Sequence, residues 1–235
     1  MNSKTTLAVI AVIVVLAIGG YLIFGKKDVG APAESAQATF DPLNATYTIE
    51  GQPVNLVDGK SEVSIAEGKL GAESGSAIKI ITTLFGQPVT GDLNGDGKAD
   101  AAVMIVENPG GTGTFFYVAA ALNTENGAQG TNAVLLGDRI APQNIQIKNG
   151  QIIANYADRR PDEPMAASPS VGVSAYLVFD GTALTASAPL SGAGEHCGGN
   201  LATAPVCITG YHCAPDPTSN LPFGDVGGIC VLGTN

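Results

Sequence analysis

Short apolar runs separated by turn residues dominate the chain from Ala45 to about Ala186. The runs are rich in valine, isoleucine, threonine, tyrosine and phenylalanine, a composition typical of β-strands. They lie at 46–50, 54–57, 62–65, 77–85, 101–107, 114–122, 133–136, 144–148, 151–156 and 172–179. No stretch among them has a convincing helical apolar stripe. The pattern predicts an all-β domain over 45–186, mainly antiparallel, folded as a sandwich or a partly open barrel.

Three dipeptides lie where hairpin turns are expected: Asp58-Gly59, Asn149-Gly150 and Asp180-Gly181. A type I′ turn needs two residues at positive φ, which aspartate, asparagine and glycine tolerate. Around Asn149-Gly150 the isoleucines at 145 and 147 alternate with polar residues, so this segment is the clearest predicted hairpin.

An uncharged apolar run extends from Thr5 to Phe24, with lysines at 4, 26 and 27. At about 1.5 Å per helical residue it spans roughly the 30 Å hydrocarbon core of a bilayer. The run is longer than an ordinary cleavable h-region, so we interpret 1–27 as an uncleaved signal anchor, with a cleaved signal peptide as the alternative. Residues 28–44 are small and include two prolines, which predicts a flexible linker.

Charge and cysteine usage indicate where the rest of the chain lies. The lysines flanking the apolar run nearly balance, so they do not set its orientation. Three of the 11 basic residues lie in 1–27, leaving eight against all 21 acidic residues, a formal charge of −13 that disfavours nucleic-acid partners. All four cysteines lie after residue 196, which indicates two disulfides in an oxidising compartment. We expect a single-pass membrane protein whose residues 28–235 lie outside the cytoplasm.

The clearest chemical motif is GDLNGDGKAD, between two predicted strands. Oxygen donors lie at loop positions one, three, five, seven and nine: Asp92, Asn94, Asp96, the carbonyl of Lys98, and Asp100. Gly97 at position six permits the sharp turn. Such hard donors favour Ca²⁺, and the ion also relieves the repulsion between the carboxylates. The alternative is an acidic loop of Asx turns that needs no metal.

This loop departs from the EF-hand, because Val103 stands at position twelve and the flanks are strand-like. Residues 89–103 resemble the strand-loop-strand calcium sites of FG-GAP and integrin-type repeats. Only one copy is present, so the seven-bladed propeller that those repeats build is excluded. Without the bidentate glutamate we expect structural calcium bound in the range of extracellular modules, roughly 0.1 to 1 mM.

Several segments together carry a wider resemblance: YTIEGQPV, GDLNGDGKADAAV, GGTGTFFYVAAAL, GTNAVLLGDRIAPQ and NYADRRPDEPM. Over 45–179 the chain resembles an uncharacterised family of bacterial exported proteins with membrane or lipid anchors, similar in outline to the LppP/LprE-like lipoprotein domain. The resemblance implies an envelope location and a compact β-rich fold, and it implies no activity.

A second predicted linker, 187–196, leads to a cysteine-rich module at 197–235. Its four cysteines allow three pairings. Because His196 and His212 each adjoin a cysteine, a zinc cluster is the alternative to disulfides, although no Cys-x2-Cys knuckle is present. The element CITGYHC is similar to antistasin-like and other extracellular microdomains. That resemblance implies the crossed pairing of Cys197 with Cys213 and of Cys207 with Cys230.

A second charged loop follows Tyr156 and has no metal-like spacing. It contains Asp158, Arg159, Arg160, Asp162 and Glu163. These groups could form a recognition loop for charged ligands. The alternative is a solvated loop whose ion pairs satisfy one another.

The sequence offers no catalytic constellation: both histidines lie beside cysteines of the tail and no Gly-x-Ser-x-Gly is present. We therefore expect a non-catalytic envelope protein with a structural or ligand-binding role and a calcium-stabilised β domain. Its expected partner is an envelope protein or a glycan. Two alternatives remain: a metal-assisted hydrolase of the envelope, and a protease-inhibitor or interaction module in the tail.

Overall fold

The computed structural model of this chain describes residues 39–65 and 78–233. The predicted membrane segment at 1–27 and most of the predicted linker at 28–44 lie outside the described residues. In the part of the chain that is described, no helix is long and apolar enough to cross a membrane.

Within those residues the chain forms eighteen β-strands, one single-turn α-helix and one 3-10 turn. The strands are β1 Thr46–Ile49, β2 Gln52–Asn55, β3 Lys60–Ile65, β4 Ile78–Leu84, β5 Val89–Gly91, β6 Asp100–Asn108, β7 Phe115–Thr124, β8 Gly127–Gly130, β9 Val134–Asp138, β10 Ala141–Lys148, β11 Gln151–Asp158, β12 Val171–Phe179, β13 Leu184–Ala186, β14 Leu190–Ser191, β15 His196–Cys197, β16 Val206–Cys207, β17 Tyr211–Ala214 and β18 Gly228–Leu232. The helix is α1, Phe223–Val226, and the 3-10 turn is Pro42–Asn44. Each of the ten predicted runs overlaps a strand, and the prediction of a mainly antiparallel β fold is confirmed.

Two of the three predicted turns have the expected form. Asn149 (φ 54°) and Gly150 (φ 71°) join β10 to β11, and Asp58 (φ 51°) and Gly59 (φ 75°) precede β3. The turn at Asp180-Gly181 is longer, because Phe179 pairs with Leu184 across four residues. The Asp180 carboxylate accepts hydrogen bonds from the N–H groups of the third and fourth residues of that loop.

A curled, seven-stranded sheet forms the centre of the fold, in the order β3-β4-β6-β7-β8, with β5 also on β6 and β9 also on β7. Its axis is the long antiparallel pair of β6 and β7, in register from Ala101 opposite Ala121 to Glu107 opposite Phe115. Both strands are buried on both faces over most of their length. The continuous apolar runs AAVMIV and FFYVAAAL therefore lie between two layers, since a half-exposed strand would alternate.

The two faces of this pair contact different partners. One face, which includes Met104 and Val118, packs on the four-stranded sheet β10-β11-β12-β13 through residues such as Ile152 and Leu177. The opposite face, which includes Ile105 and Tyr117, packs on the β1–β2 hairpin and on the residues that flank it. Because side chains alternate between the two faces of β6 and β7, this one strand pair contributes to two hydrophobic cores.

Residues 187–196, predicted to be a linker, form strands in the structure. They include β14, which pairs in parallel with β16, and the start of β15, which pairs with β18. The side chain of Gln151, 1% exposed, fixes this segment: its amide donates to Ser187 Oγ and to the Ala188 carbonyl, both at 2.7 Å, and its oxygen accepts from Leu190 N at 2.9 Å. A buried amide requires hydrogen-bond partners, and here Ser187, Ala188 and Leu190 supply them. These contacts hold the start of the segment in a defined position.

The described end of the first predicted linker is also structured. Asp41 caps the 3-10 turn by accepting a hydrogen bond from Leu43 N at 2.9 Å. Phe40 packs against the core on the hairpin side of the central sheet. Residues 40–44 therefore belong to the folded part of the chain.

Gly130, at the end of β8, permits the closest approach between the hairpin and the central sheet. A Cβ atom at this position would lie 2.3 Å from the carbonyl oxygen of Thr46 in β1. Next to it, Thr48 N donates to the Thr131 carbonyl at 3.0 Å and Ala133 N donates to the Thr48 carbonyl at 2.7 Å. The hairpin is thus attached to the sheet by backbone hydrogen bonds that leave no room for a side chain at Gly130.

We expect Gly130→Ala to lower the free energy of unfolding by about 1 to 3 kcal/mol, because the backbone contact must open to admit the methyl group. Denaturant unfolding of the full chain in detergent measures this change. Gly172→Ala in β12 is the matched control, since a Cβ there meets nothing within 4 Å. Equal stability of the two variants would show that the contact between Gly130 and the Thr46 carbonyl can accommodate a methyl group.

Candidate functional site

The acidic loop joins β5 to β6 and projects from the sheet into solvent. Leu93, 5% exposed, anchors it in the core shared with the four-stranded sheet. The side chains of Asp92, Asn94, Asp96 and Lys98 are exposed. Only the last predicted ligand, Asp100, is buried.

Side-chain-to-backbone hydrogen bonds define the course of the loop. Asp92 accepts from Gly95 N at 2.7 Å and from Gly97 N at 3.0 Å. Asn94 accepts from Asp96 N at 2.9 Å, and Asp96 from Lys98 N at 2.8 Å. Gly97 has a φ of 81°, as its position in the motif predicts. The contacts of Asn94 and Asp96 are Asx turns, and all four hydrogen bonds are made within the loop itself.

Asp100 has a role that the sequence did not reveal. Its carboxylate is 0% exposed and accepts one hydrogen bond from Leu93 N at 2.9 Å and another from Asn123 N at 2.8 Å. It therefore connects the loop, the start of β6 and the end of β7. A buried carboxylate with two backbone donors is a structural connection, whether or not a metal binds.

The donor set has the chemistry of a hard-cation site. Asp92, Asn94 and Asp96 offer exposed oxygen atoms of the type that calcium prefers. In the described structure the carboxylate oxygens of Asp92, Asp96 and Asp100 do not all lie within 4.8 Å of one another. Asp100 could contribute through a water molecule, as position nine often does, so a site at this loop does not need all three carboxylates in direct contact with the ion.

The second charged loop uses its charges internally. Arg159 donates to the Ala167 carbonyl at 2.6 Å and to the Arg139 carbonyl at 3.0 Å. Arg160 pairs with Glu163 at 3.0 Å. Asp158 accepts from Arg159 N at 2.7 Å, and only Asp162 remains exposed and without such a contact among the predicted binding residues. This geometry favours the alternative of a self-satisfied loop over a recognition site.

The tail contains two disulfides, Cys197–Cys213 and Cys207–Cys230. This is the crossed pairing that the microdomain resemblance implies. The sulfur atoms of Cys197, Cys207 and Cys230 lie within 4.8 Å of one another, because the two bridges are adjacent. A zinc cluster would need these sulfurs as thiolates, and in this structure each is bonded to another sulfur.

A groove of about 680 Å³, which the sequence did not predict, lies beside the β1–β2 hairpin. Its walls come from β2, β3 and β4, and its inner end reaches the last residues of β6. The lining residues are Ile49, Glu50, Gln52, Pro53, Val54, Asn55, Ser61, Val63, Ile65, Ile80, Thr82 and Glu107. A concave, largely apolar surface of this size with a few polar groups is the usual form of a small-molecule site.

The groove exists because the hairpin covers only part of one sheet face. Above β6 and β7 that face is closed by residues such as Tyr47 and Leu56. Above β3 and β4 the described part of the hairpin does not cover it: Val63 is 52% exposed and Ile80 is only partly buried. Apolar side chains that point toward an uncovered face are available to a ligand.

Two carboxylates lie at the inner end of the groove. Thr82, 2% exposed, donates to Glu107 Oε2 at 3.3 Å, and Tyr117 donates to Glu50 Oε1 at 3.3 Å. Burial raises the pKa of Glu107, the hydrogen bond from Thr82 lowers it, and the nearby charge of Glu50 raises it further. Burial, followed by the charges of Glu50 and Glu107, also raises the pKa of Tyr117, so its hydroxyl keeps its proton. No counter-charge for this pair lies among the described lining residues.

Glu50 occupies an unusual backbone position. It is the first residue of the two-residue turn between β1 and β2, with a φ of 48°, where asparagine, aspartate or glycine is favoured. The conformation costs on the order of 1 kcal/mol for a glutamate. It directs the carboxylate toward Tyr117.

No protein-family model, curated protein or solved structure matches this chain.

We expect Glu107→Gln to raise the free energy of unfolding at neutral pH. The raised pKa of Glu107 means that folding penalises its charged form. The contribution of Glu107 to the free energy of unfolding is fully present below the unfolded-state pKa of about 4.3. It is lost as the pH rises through the pKa in the folded state. The gain from the variant should therefore be largest at pH 7 to 8 and vanish near pH 4, as measured by denaturant unfolding across pH.

Glu125→Gln, in the exposed turn after β7, is the matched control and should change stability by less than about 0.5 kcal/mol. A destabilised Glu107→Gln variant at pH 7 would mean that Glu107 makes a favourable contact as a carboxylate.

Proposed function

We propose that this protein is a non-catalytic extracytoplasmic protein, anchored in the cell membrane by residues 1–27, whose β domain binds a ligand in the groove above β3 and β4. The observation that carries the proposal is the groove itself: an uncovered apolar sheet face with two carboxylates at its inner end. Its two carboxylates could exchange protons, but among the described lining residues there is no histidine, cysteine or lysine to act with them as a nucleophile or a second acid–base group. Binding therefore accounts for the groove better than chemistry does.

The proposed location rests on the sequence and on the tail. The run from Thr5 to Phe24 is long and apolar enough to span a bilayer. Two disulfides are stable in an oxidising compartment and would be reduced in most cytosols. Together these features favour a periplasmic or cell-surface position for the folded part of the chain.

Protease added to intact spheroplasts that express the full chain should degrade the portion after residue 27, because that portion is expected on the outer side of the membrane. Immunoblotting of the folded part measures the loss, and a cytoplasmic protein of the same cells is the protected control. Protection of this portion until the membrane is broken would reverse the proposed orientation.

Calcium is the second part of the proposal, as a stabiliser of the acidic loop. Asp92, Asn94, Asp96 and the Lys98 carbonyl would hold the ion, with Asp100 behind them as a buried connection to β6 and β7. The exposed carboxylates repel one another without an ion, and a divalent cation removes that repulsion. The ion would supply charge neutralisation in the folded state and no reaction.

At about 10 mM calcium and a Kd of about 0.1 mM, binding to the folded state alone adds roughly 2.7 kcal/mol. We therefore expect calcium to raise the melting temperature of the full chain by several degrees and a chelator to reverse the change. Differential scanning calorimetry in detergent measures both effects.

Two variants separate the metal from the buried connection. Asp96→Ala should remove most of the calcium response, whereas Asp100→Ala should lower stability by roughly 2 to 4 kcal/mol even in chelator, because two backbone N–H groups lose their acceptor. Asp162→Ala in the other charged loop is the control. If neither calcium nor chelator changes the melting temperature, the loop does not bind calcium and is an acidic turn.

An interaction module in the tail is the second candidate function. Five of the large apolar side chains that are exposed in the described structure lie in the disulfide module: Leu201, Val206, Leu221, Phe223 and Leu232. A small module that is held by disulfides has few residues for a core, so some of this exposure is expected. Leu221 at 64% and Leu232 at 78% are nevertheless available for contact with a partner protein.

A further inference from the structure

We infer that the ligand of the groove is a small organic cation with an apolar body, whose ammonium group binds at Glu107 and Glu50 while its body lies on the face of β3 and β4. This inference rests on the proposed function and adds the chemical class of the ligand.

The distribution of charge around β3 supports a cation. Successive residues of a strand point to opposite faces, so Ser61, Val63 and Ile65 line the groove while Lys60 and Glu62 point away from it. On that opposite face Glu62 pairs with Lys60 at 3.1 Å and also with Lys79. Lys60 and Lys79 are thus segregated from the groove, and the described lining residues carry two acids and no base.

The environment of Glu107 favours a ligand that brings its own positive charge. A half-buried carboxylate beside a second acid is costly to ionise, and an ammonium group at hydrogen-bond distance offsets that cost. An anion would add to the repulsion, and a neutral hydroxyl would supply one hydrogen bond without charge. A calcium ion would need six to eight oxygen ligands, which two carboxylates in an apolar groove do not provide.

The remaining length of the groove requires an apolar body. Thr82 lies opposite Ser61 and next to Glu107, Ile80 lies opposite Val63, and Ile65 pairs with Ile78. From the acidic end to Ile65 the groove therefore follows four residues of β4, about 13 Å. The surface along this path is made of Val63, Ile65 and Ile80, which favour an aliphatic chain.

Isothermal titration of the full chain in nonionic detergent tests the assignment with hexylamine as the probe. Hexylamine should bind, and hexanol, hexanoate and ethylamine should each bind at least about tenfold more weakly, because each lacks either the charge or the apolar body. Glu107→Gln should weaken hexylamine binding by about tenfold or more, and Glu50→Gln, whose carboxylate is more exposed, by a few-fold.

Glu62→Gln, on the opposite face of the same strand, is the matched control and should leave the affinity unchanged. Hexanol binding as tightly as hexylamine would overturn the cationic class while leaving the ligand-binding groove intact. Ethylamine binding as tightly as hexylamine would show that the acid pair alone is the site and would also overturn the inference. If a lysine-containing peptide binds where hexylamine does not, the small-molecule class falls and the ligand-binding groove stands. If hexylamine, hexanol and the peptide all fail to bind, both the inference and the proposed use of the groove fall.

Discussion

Burial of both faces of the β6–β7 pair is the constraint on which the rest of the structure depends. A strand pair between two layers needs apolar side chains at every position and neighbours on both edges for its backbone hydrogen bonds. The chain meets the first need with two continuous apolar runs and the second with β4, β5, β8 and β9. One end of the pair has only small side chains on both faces, so both covering layers can approach its backbone closely. These side chains are the fully buried alanines at 101, 102, 119, 120 and 121.

Because β6 is largely buried, the environment of its two charged residues affects both stability and binding. Asp100 begins the strand and Glu107 lies one residue from its end, about 23 Å away. Two backbone N–H groups satisfy Asp100, so its charge connects elements of the fold. Among the described residues Glu107 receives one hydroxyl donor at 3.3 Å and has a second acid nearby, so these residues leave its charge incompletely compensated. The same strand therefore ends in a structural carboxylate on one side and in a candidate binding group on the other.

The sequence predicted the features that depend on local pattern. Runs of branched and aromatic residues located ten strands, and the Asp-Gly and Asn-Gly dipeptides located two tight turns, because strand and turn preferences act over a few residues. Features set by distant contacts were missed. The groove arises from where the β1–β2 hairpin stops covering the sheet, and the segment 187–196 is ordered by Gln151, some forty residues earlier in the chain. Glu107 did offer a signal, since it shares the parity of Val103 and Ile105 and so points to the same face.

The two candidate sites, at opposite ends of one rigid strand, are expected to act independently. Coupling between sites requires an element with two arrangements that each ligand favours differently. β6 is packed on both faces and hydrogen-bonded on both edges, and such an element has no second arrangement short of unfolding. Calcium at the acidic loop would therefore raise the population of folded chains and leave the shape of the groove as it is. That effect would still favour ligand binding, because only the folded sheet presents Val63, Ile80 and Glu107 on a single surface.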